Sequence, residues 1–235
     1  MKSNTSVSLS RSVLAGLFVM LCSAAPVLAE TSPAPTPAAP TRDVSKLVSG
    51  EYALDKSHAN VIFKINHIGF SNYIGRFNNF DGKLNFDAKA PEKSSVDMTI
   101  DVTSIDTNHQ KLETDLKGEK FFNTAKFPTA TFKSTKVTHN GDKGTIVGDL
   151  TMLGVTKPVT LNVLFHGGGM GPFSKAETLG FNATTTLKRS EWGLTALVPM
   201  VSDDVQLEIE VEFNSKPAPV VAPAAQPAHD DVKKK

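Results

Sequence analysis

The sequence predicts an all-β domain, built as an antiparallel sandwich or an up-and-down barrel of about eight strands. Strict alternation of apolar and polar residues marks a strand with one dry face, and it is clearest over residues 205–213. Similar stretches recur at even spacing from residue 51 to residue 214, and turn-forming residues separate them. The apolar faces of such a sheet must enclose a common interior.

The individual strands follow in chain order. A short strand is predicted at residues 52–55, and eight longer ones at 60–66, 80–86, 96–103, 130–137, 145–152, 159–165, 179–187 and 205–213. Turns are predicted at residues 140–142, which read Asn-Gly-Asp, and at the triple-glycine run 167–169. The second of these turns is also a candidate gate to the interior.

One segment, residues 108–122, breaks the alternation. Thr107 and Gln110 have the spacing of a capping box, and Leu112 and Leu116 stand one helical turn apart. We therefore predict a short helix that ends near Gly118, at one mouth of the sheet, where it is a second candidate gate.

The N-terminus has the features of a secretory signal peptide over residues 1–29. Lys2 and Arg11 precede an apolar core at residues 13–21, and Ala29 offers a small residue for cleavage. A lipid anchor at Cys22 is the alternative, but a large residue precedes this cysteine. Cleavage after residue 29 predicts a periplasmic or secreted protein without disulfides, since Cys22 is the one cysteine of the chain.

Low-complexity segments flank the predicted domain. Residues 30–50 and 215–235 are rich in proline and alanine, as solvated linkers are, and the second ends in three lysines. The domain itself is therefore assigned to residues 51–214. Residues 51–214 contain 17 lysines and arginines against 20 aspartates and glutamates, so the domain has a formal net charge of −3. Nucleic acid is therefore not a predicted partner, because it favours a basic stripe.

The aromatic residues indicate a wholly apolar interior. The chain has 14 phenylalanines against 2 tyrosines and one tryptophan, and phenylalanine buries area without needing a polar partner. An eight-stranded barrel of this kind either fills itself with side chains or holds one ligand. Composition does not decide between the two.

Catalytic and metal-binding signatures are missing from the sequence. The domain histidines form no HxH or HExxH pair, and no nucleophile elbow or phosphate loop is present. Asp203 and Asp204 are adjacent strand-edge residues that point apart. Lys188 and Arg189, beside Trp192, are predicted to form an exposed turn rather than to meet an anionic head group. Neither an enzyme nor a metal site is predicted.

Seven blocks of sequence fall in the order and spacing of the YceI-like family, which the segment 51–214 therefore resembles. They are Asp55-Lys56-Ser57-His58, with Phe63, Ile65 and His67; Gly75-Arg76-Phe77; Ser104-Ile105-Asp106-Thr107; Leu116-Lys117 with Phe121-Phe122; residues 127–134; residues 148–159; and Trp192-Gly193-Leu194. One departure occurs at residues 113–117, where many members carry Asp-x-His-Leu-basic and this chain reads Glu-Thr-Asp-Leu-Lys. No head-group role is therefore transferred to that turn.

The resemblance implies a lipocalin-like barrel whose elongated cavity holds a polyisoprenoid, such as a prenyl phosphate or a quinone tail, as ligand and with no cofactor. The function it implies is non-catalytic storage or transport of this lipid. A self-filled structural or adhesive envelope module is the alternative, followed by an enzyme acting on an isoprenoid head group. The predicted partner is the lipid, and a transient membrane contact and a homodimer are left open. The predicted ligand-binding residues are the apolar members of the strands, namely Phe63, Ile65, Leu84, Phe86, Met98, Ile100, Val102, Phe132, Leu161, Val163, Phe165, Phe181, Leu207, Ile209 and Val211.

Overall fold

Strands dominate the part of the chain that the computed structural model describes, residues 39–216. In this range the strands are β1 Gly50–Leu54, β2 Asn60–His67, β3 Ser71–Phe77, β4 Phe80–Phe86, β5 Ser95–Asp101, β6 Ile105–Asp106, β7 Thr129–Asn140, β8 Lys143–Met152, β9 Val155–Met170, β10 Glu177–Lys188 and β11 Val201–Ser215. One α-helix, α1, spans Gln110–Lys117. Short 3-10 helices lie at Val44–Lys46, Lys56–His58, Pro91–Lys93, Val102–Ser104 and Arg189–Trp192.

Eight of these strands form a closed antiparallel barrel. Their order is β1-β4-β5-β7-β8-β9-β10-β11, and β11 pairs back to β1. Strand β11 serves two neighbours on that side, because its residues 213–215 pair with β1 whereas residues 201–210 pair with β2. The β2–β3 hairpin, extended by β6, thus continues the wall beyond β1. We call the end of the barrel formed by this β2–β3 extension the open end, and the opposite end, which contains β1, the closed end.

The predicted all-β barrel with a short helix is confirmed, and each predicted strand overlaps an observed one. Strands β3 and β6 were not predicted from the sequence. In β3 the inward positions are Tyr73, Gly75 and Phe77, and Ile74 lies on the outer face, so apolar residues do not alternate there. In β5 the predicted strand runs on to residue 103, whereas Asp101 accepts a hydrogen bond from the Thr103 amide and starts a 3-10 turn.

A cluster of large side chains fills the closed end. Tyr52 and Leu179 are its most deeply buried members, and Phe86, Phe165 and Phe213 pack with them. The Tyr52 hydroxyl donates to the Val48 carbonyl oxygen at 2.6 Å. Burial, and secondarily the charge of a nearby glutamate, raises the pKa of Tyr52 to about 12. This end of the barrel is therefore a filled core.

Part of the predicted N-terminal linker belongs to this core. Leu47 is buried in the closed-end cluster, and Thr41 exchanges two backbone hydrogen bonds of 2.8 Å with Gly168. The Arg42 guanidinium also lies 3.1 Å from the Asp142 carboxylate. The packed domain therefore starts near residue 41 instead of residue 51, since one buried leucine anchors a segment whose composition is typical of a linker. The predicted signal peptide and most of the predicted C-terminal tail lie outside the described residues.

The predicted turn and gate at residues 167–169 are wrong. All three glycines lie within β9 at the closed end, and Gly167 and Gly168 are buried. A Cβ atom at Gly168 would lie 2.6 Å from Leu179 Cδ2 and 2.9 Å from Leu47 Cδ2. Glycine is required here for close packing, which a sequence pattern does not distinguish from a turn.

Helix α1 is shorter than predicted, and its N-terminus is stabilised differently. The predicted capping pair does not form; instead the Glu113 carboxylate accepts from the backbone amides of Thr107 at 2.9 Å and His109 at 3.3 Å. The helix ends at Gly118, as predicted. Among residues 39–216, no helix has the length and apolar character needed to cross a bilayer.

Candidate functional site

The barrel encloses an elongated apolar cavity of about 400 Å³. Its wall consists of the inward-facing side chains of the strands, together with residues of α1 and of the loops at the open end. In the regular part of β11, Val205, Leu207, Ile209, Val211 and Phe213 all face it. Eight residue steps of ~3.4 Å, in a strand tilted by ~40°, give the cavity a length of about 20 Å along the barrel axis.

Thirteen of the fifteen residues predicted to bind a ligand lie on this wall. The exceptions are Phe86 and Phe165, which the structure places in the closed-end cluster. The Phe86 ring meets Tyr52 edge-on at 6.2 Å, and the Phe165 ring lies 5.1 Å from that of Phe181. Alternation identifies the inner face of a strand, but the position of a residue along the barrel axis decides whether it contacts the cavity or the closed-end cluster.

The middle of the barrel is not filled by its own side chains. Phe63, Met98, Ile100 and Leu161 point inward, yet each remains only half-buried because it borders empty space. In a close-packed interior such residues would lose nearly all accessibility. Of the two interiors that composition leaves open, the structure shows the one with a cavity.

Inward-facing glycines keep the cavity open. Gly75 lies opposite Phe63 in the β2–β3 pair, and a Cβ at Gly75 would come within 2.8 Å of Phe63 Cε1. A Cβ at Gly148 would likewise lie 2.7 Å from Phe132 Cε2 and 2.7 Å from the Lys133 carbonyl oxygen. The absent side chains let the aromatic rings lie flat against the sheet instead of extending into the cavity.

Wall residues at the open end were missed in the sequence. They come from the unpredicted strand β3, from α1 and the turn after it, and from the loop before β11: Tyr73, Phe77, Leu112, Leu116, Phe121, Phe122, Leu194, Ala196 and Leu197. Two signals pointed to part of this set. The spacing of Leu112 and Leu116 identifies the apolar face of α1, and the family blocks at residues 75–77, 116–122 and 192–194 contain several of the others. The surface that this face covers is a matter of tertiary packing.

Polar groups on the cavity wall concentrate at the open end. The Tyr73 hydroxyl donates to the Thr107 carbonyl oxygen at 3.2 Å, and His67 and Arg189 also border the cavity there. Towards the closed end, in contrast, the wall is formed by Phe181, Val211, Phe213 and similar residues. The few polar side chains that border the cavity therefore lie mostly at its open end, although the cavity surface is almost wholly apolar.

Arg189 is buried, which corrects the predicted exposed turn. Its guanidinium donates to four carbonyl oxygens, those of Ser202 at 2.8 Å, Leu194 at 2.6 Å, Ala196 at 2.9 Å and Val201 at 3.0 Å. Burial lowers its pKa from the usual value, although a guanidinium stays protonated in proteins. Arg189 thus holds the loop before β11 in place and brings a positive charge to the cavity wall.

The neighbouring charged residues do not form a catalytic pair. Asp203 accepts from the Ser190 amide at 2.8 Å and the Ser190 hydroxyl at 2.7 Å, which lowers its pKa. Asp204 instead pairs with Lys188 at 2.8 Å. The two aspartates point apart, as adjacent strand residues do.

A cluster of titratable groups lies outside the cavity. Asp55, His58 and Glu212 bring ligand-type atoms within 4.8 Å of one another. The Asp55 carboxylate accepts from the Ser57 hydroxyl at 2.5 Å and from His58 Nδ1, the Ser57 amide and the Asn214 side chain at 3.0 Å each. These bonds lower the pKa of Asp55 well below its usual range, and Asp55 raises that of His58. The cluster ties the β1–β2 connection to β11.

Comparison with known proteins assigns the domain. The model of the YceI-like domain matches residues 52–213. The chain belongs to the YceI-like family. A UPF0312 protein of Yersinia pestis is 41% identical over 167 residues, which cover 70% of this chain and 86% of that protein.

Solved structures of the same fold agree with the YceI-like assignment. Burkholderia cenocepacia BcnA superposes with a TM-score of 0.61 at 26% identity and covers 68% of this chain and 98% of its own. A domain from Saccharophagus degradans, described as a polyisoprenoid binding domain implicated in plant cell wall breakdown, has a TM-score of 0.51 at 15% identity. That match covers 70% of this chain and 98% of that domain. At such low identity it supports the fold alone.

The one departure from the YceI-like sequence pattern lies on the outer face of α1. The histidine of that pattern corresponds to Asp115, which is exposed on α1 and pairs with Lys111 at 3.2 Å. The next residue, Leu116, faces the cavity. The departure therefore alters the outer face of α1 and leaves the cavity wall of this YceI-like barrel apolar.

Proposed function

We propose that this protein binds a polyisoprenoid lipid, a prenyl phosphate or a quinone-type molecule, in the barrel cavity. The observation that carries the proposal is the cavity itself, an elongated apolar space of about 400 Å³. Small-molecule sites typically measure ~300–1,000 Å³. The apolar wall suits a branched hydrocarbon that needs no hydrogen bonds, and the neighbour of the same fold that is described as a polyisoprenoid binding domain is consistent with it.

The polarity of the wall supports one orientation of the lipid. The hydrocarbon tail would lie against Phe181 and Phe213, and the head group would lie near Tyr73, Thr107 and Arg189. The Arg189 guanidinium already donates to four loop carbonyls, so it would favour an anionic head group through its charge and not through several direct hydrogen bonds. The Tyr73 hydroxyl, which donates to the Thr107 carbonyl oxygen, could still accept a hydrogen bond from a neutral head group. Both a phosphate and a quinone therefore remain within the proposed class.

The free energy of lipid burial favours storage or transport in a cavity that does not enclose the lipid completely. Burial contributes ~0.8 kcal/mol per methylene-sized group, so several fully enclosed isoprene units would approach the ~18–21 kcal/mol at which non-covalent affinities saturate. A carrier must release its cargo, and we propose that release occurs at the open end, where Leu197 borders the cavity and is also 53% exposed. We propose this function without chemistry on the lipid, and a periplasmic or secreted location in line with the N-terminal sequence.

Extraction of the bound lipid tests the proposal. Protein isolated from cells is extracted with organic solvent, and the extract is analysed by mass spectrometry. The delipidated protein is then offered a prenyl phosphate and, as a matched control, a straight saturated alkyl phosphate of equal carbon number. A co-purified prenyl lipid, with preference for the branched probe, is expected. An empty extract without uptake of either probe would favour the structural module, and turnover of the added prenyl phosphate would favour an enzyme.

A further inference from the structure

Exposed apolar side chains lie together in two neighbouring loops at the open end of the barrel. Ile68 and Phe70 lie in the turn between β2 and β3, and Leu197, Val198 and Met200 lie in the loop before β11; we call these five residues the apolar rim. Phe70 is 87% exposed, Met200 61% and Leu197 53%. A contiguous apolar patch of this kind on a soluble domain marks an interaction site.

The two loops of the apolar rim form one surface. The Ile68 amide donates to the Met200 carbonyl oxygen at 3.1 Å, and Val201 pairs with His67 where β2 and β11 meet. Ile68 and Leu197 have φ values of 57° and 63°, in the left-handed region that glycine or asparagine adopts at lower cost. Folding thus gains little from apolar residues at these exposed positions, which points to a role in binding.

The apolar rim is continuous with the cavity wall. Leu197 is both exposed on the rim and part of the wall, and His67, Ala196 and Val201 beside it also border the cavity. A hydrocarbon chain that leaves the cavity here meets the apolar rim before it meets water.

The charge of the apolar rim suits a lipid surface. Residues 66–72 and 194–201 contain no aspartate, glutamate, lysine or arginine, and His67 is the one titratable residue in either loop. Insertion of these two loops alone into the acyl-chain region of a bilayer would therefore desolvate no permanent charge of their own, whereas the charged residues after α1 would have to stay at the bilayer surface. Loops with phenylalanine, leucine and methionine at their tips are well suited to such insertion.

We propose that the apolar rim docks the open end of the barrel onto a lipid bilayer, so that cargo passes between bilayer and cavity without crossing water. This inference rests on the proposed function for its purpose, but the docking itself requires only the rim.

Vesicle binding tests the docking surface. The chain as isolated from cells, wild type and variants alike, is mixed with phosphatidylcholine vesicles at physiological salt, where surface charge attraction is screened, and bound protein is separated by flotation. The test variant combines Phe70→Ser with Met200→Ser. The matched control is Phe173→Ser, because Phe173 is 95% exposed in the β9–β10 connection at the closed end. Melting temperature and cargo content are measured for all three proteins.

We expect the wild type and the control to bind vesicles equally. The double variant should bind at least about tenfold more weakly, because it loses two inserted apolar side chains. All three should have the same melting temperature. Equal binding by the double variant, or no binding by the wild type, would overturn the docking surface. A wild-type dimer that the double variant dissociates, without vesicle binding, would overturn it too, because a second copy would then cover the rim. If the wild type carries cargo but does not bind vesicles, the docking surface is wrong and the proposed function is retained. If the wild type binds vesicles but carries no cargo, the proposed function is wrong and the docking surface is retained.

Discussion

Replacement of Ile100 by tryptophan separates an open cavity from a filled core. Ile100 lies in β5, and it faces the cavity with the small side chain of Ala130 opposite it on β7. Its side chain is only half-buried although it points into the barrel. The added ring would therefore extend into the space that we assign to the lipid tail.

The two interiors predict different magnitudes. Overpacking of a filled core costs ~1–3 kcal/mol, which for a domain of this size corresponds to roughly 2–12 °C in melting temperature. In an open cavity the indole occupies empty space, and the lipid-free protein should melt within about 2 °C of the wild type. Loss of as few as two methylene-sized contacts, at ~0.8 kcal/mol each, weakens lipid binding by about tenfold.

The assay compares lipid retained per protein with the melting temperature of lipid-free protein. Thr99→Trp is the outward control, since Thr99 is the exposed neighbour on the same strand, and Leu179→Trp is the filled-core control in the closed-end cluster. We expect Ile100→Trp to lose lipid and keep its stability, Thr99→Trp to keep both, and Leu179→Trp to lose stability. If Ile100→Trp is as destabilised as Leu179→Trp while the wild type carries no lipid, the carrier function has to be abandoned.

Three further predictions concern stability and processing. Leu47→Ala should lower the free energy of unfolding by at least ~2 kcal/mol in chemical denaturation, whereas Val48→Ala, at an exposed position, should leave it within ~0.5 kcal/mol; equal effects would contradict the packing of this segment. The pKa of Asp55 is lowered and that of His58 is raised in the folded protein. Their contact therefore stabilises the fold fully at a pH above ~4, the ordinary carboxylate pKa, and below ~6.5, the ordinary histidine pKa. The contribution falls as pH drops through the lowered pKa of Asp55 or rises through the raised pKa of His58, so the melting temperature lost in His58→Ala should be largest near pH 5–6; a pH-independent loss would refute the coupling. Finally, intact mass spectrometry of protein from the cell envelope should give the mass of a chain that starts at Glu30. A mass matching a chain that starts at an acylated Cys22 would contradict this prediction.

The inner faces of the strands could be read from the sequence, because the side chains of a strand alternate with a period of two whatever the strand packs against. Alternation alone therefore assigns residues such as Leu207 and Ile209 to the cavity side. The short helix also followed from local signals, the spacing of Leu112 and Leu116 and the glycine at its end. The resemblance of seven ordered blocks to one family carried the prediction from an all-β sheet to a closed barrel.

The position of a residue along the barrel axis was decided by the tertiary structure alone. Phe86 and Phe165 show the same alternation as their neighbours, yet they plug the closed end because the side chains that meet them come from distant parts of the chain. Leu47 was hidden in a proline-rich segment for the same reason, since a single buried residue leaves no periodic signal.

Contacts between loops were equally invisible in the sequence. The carbonyl cage of Arg189 and the pairing of Ile68 with Met200 depend on backbone atoms, which carry no side-chain pattern. The sequence by itself determined the all-β class, the apolar lining and the helix, because these depend on local periodicity and composition. Which end of the barrel is filled, which is open and what surrounds the opening depended on long-range packing, and only the folded structure could decide them.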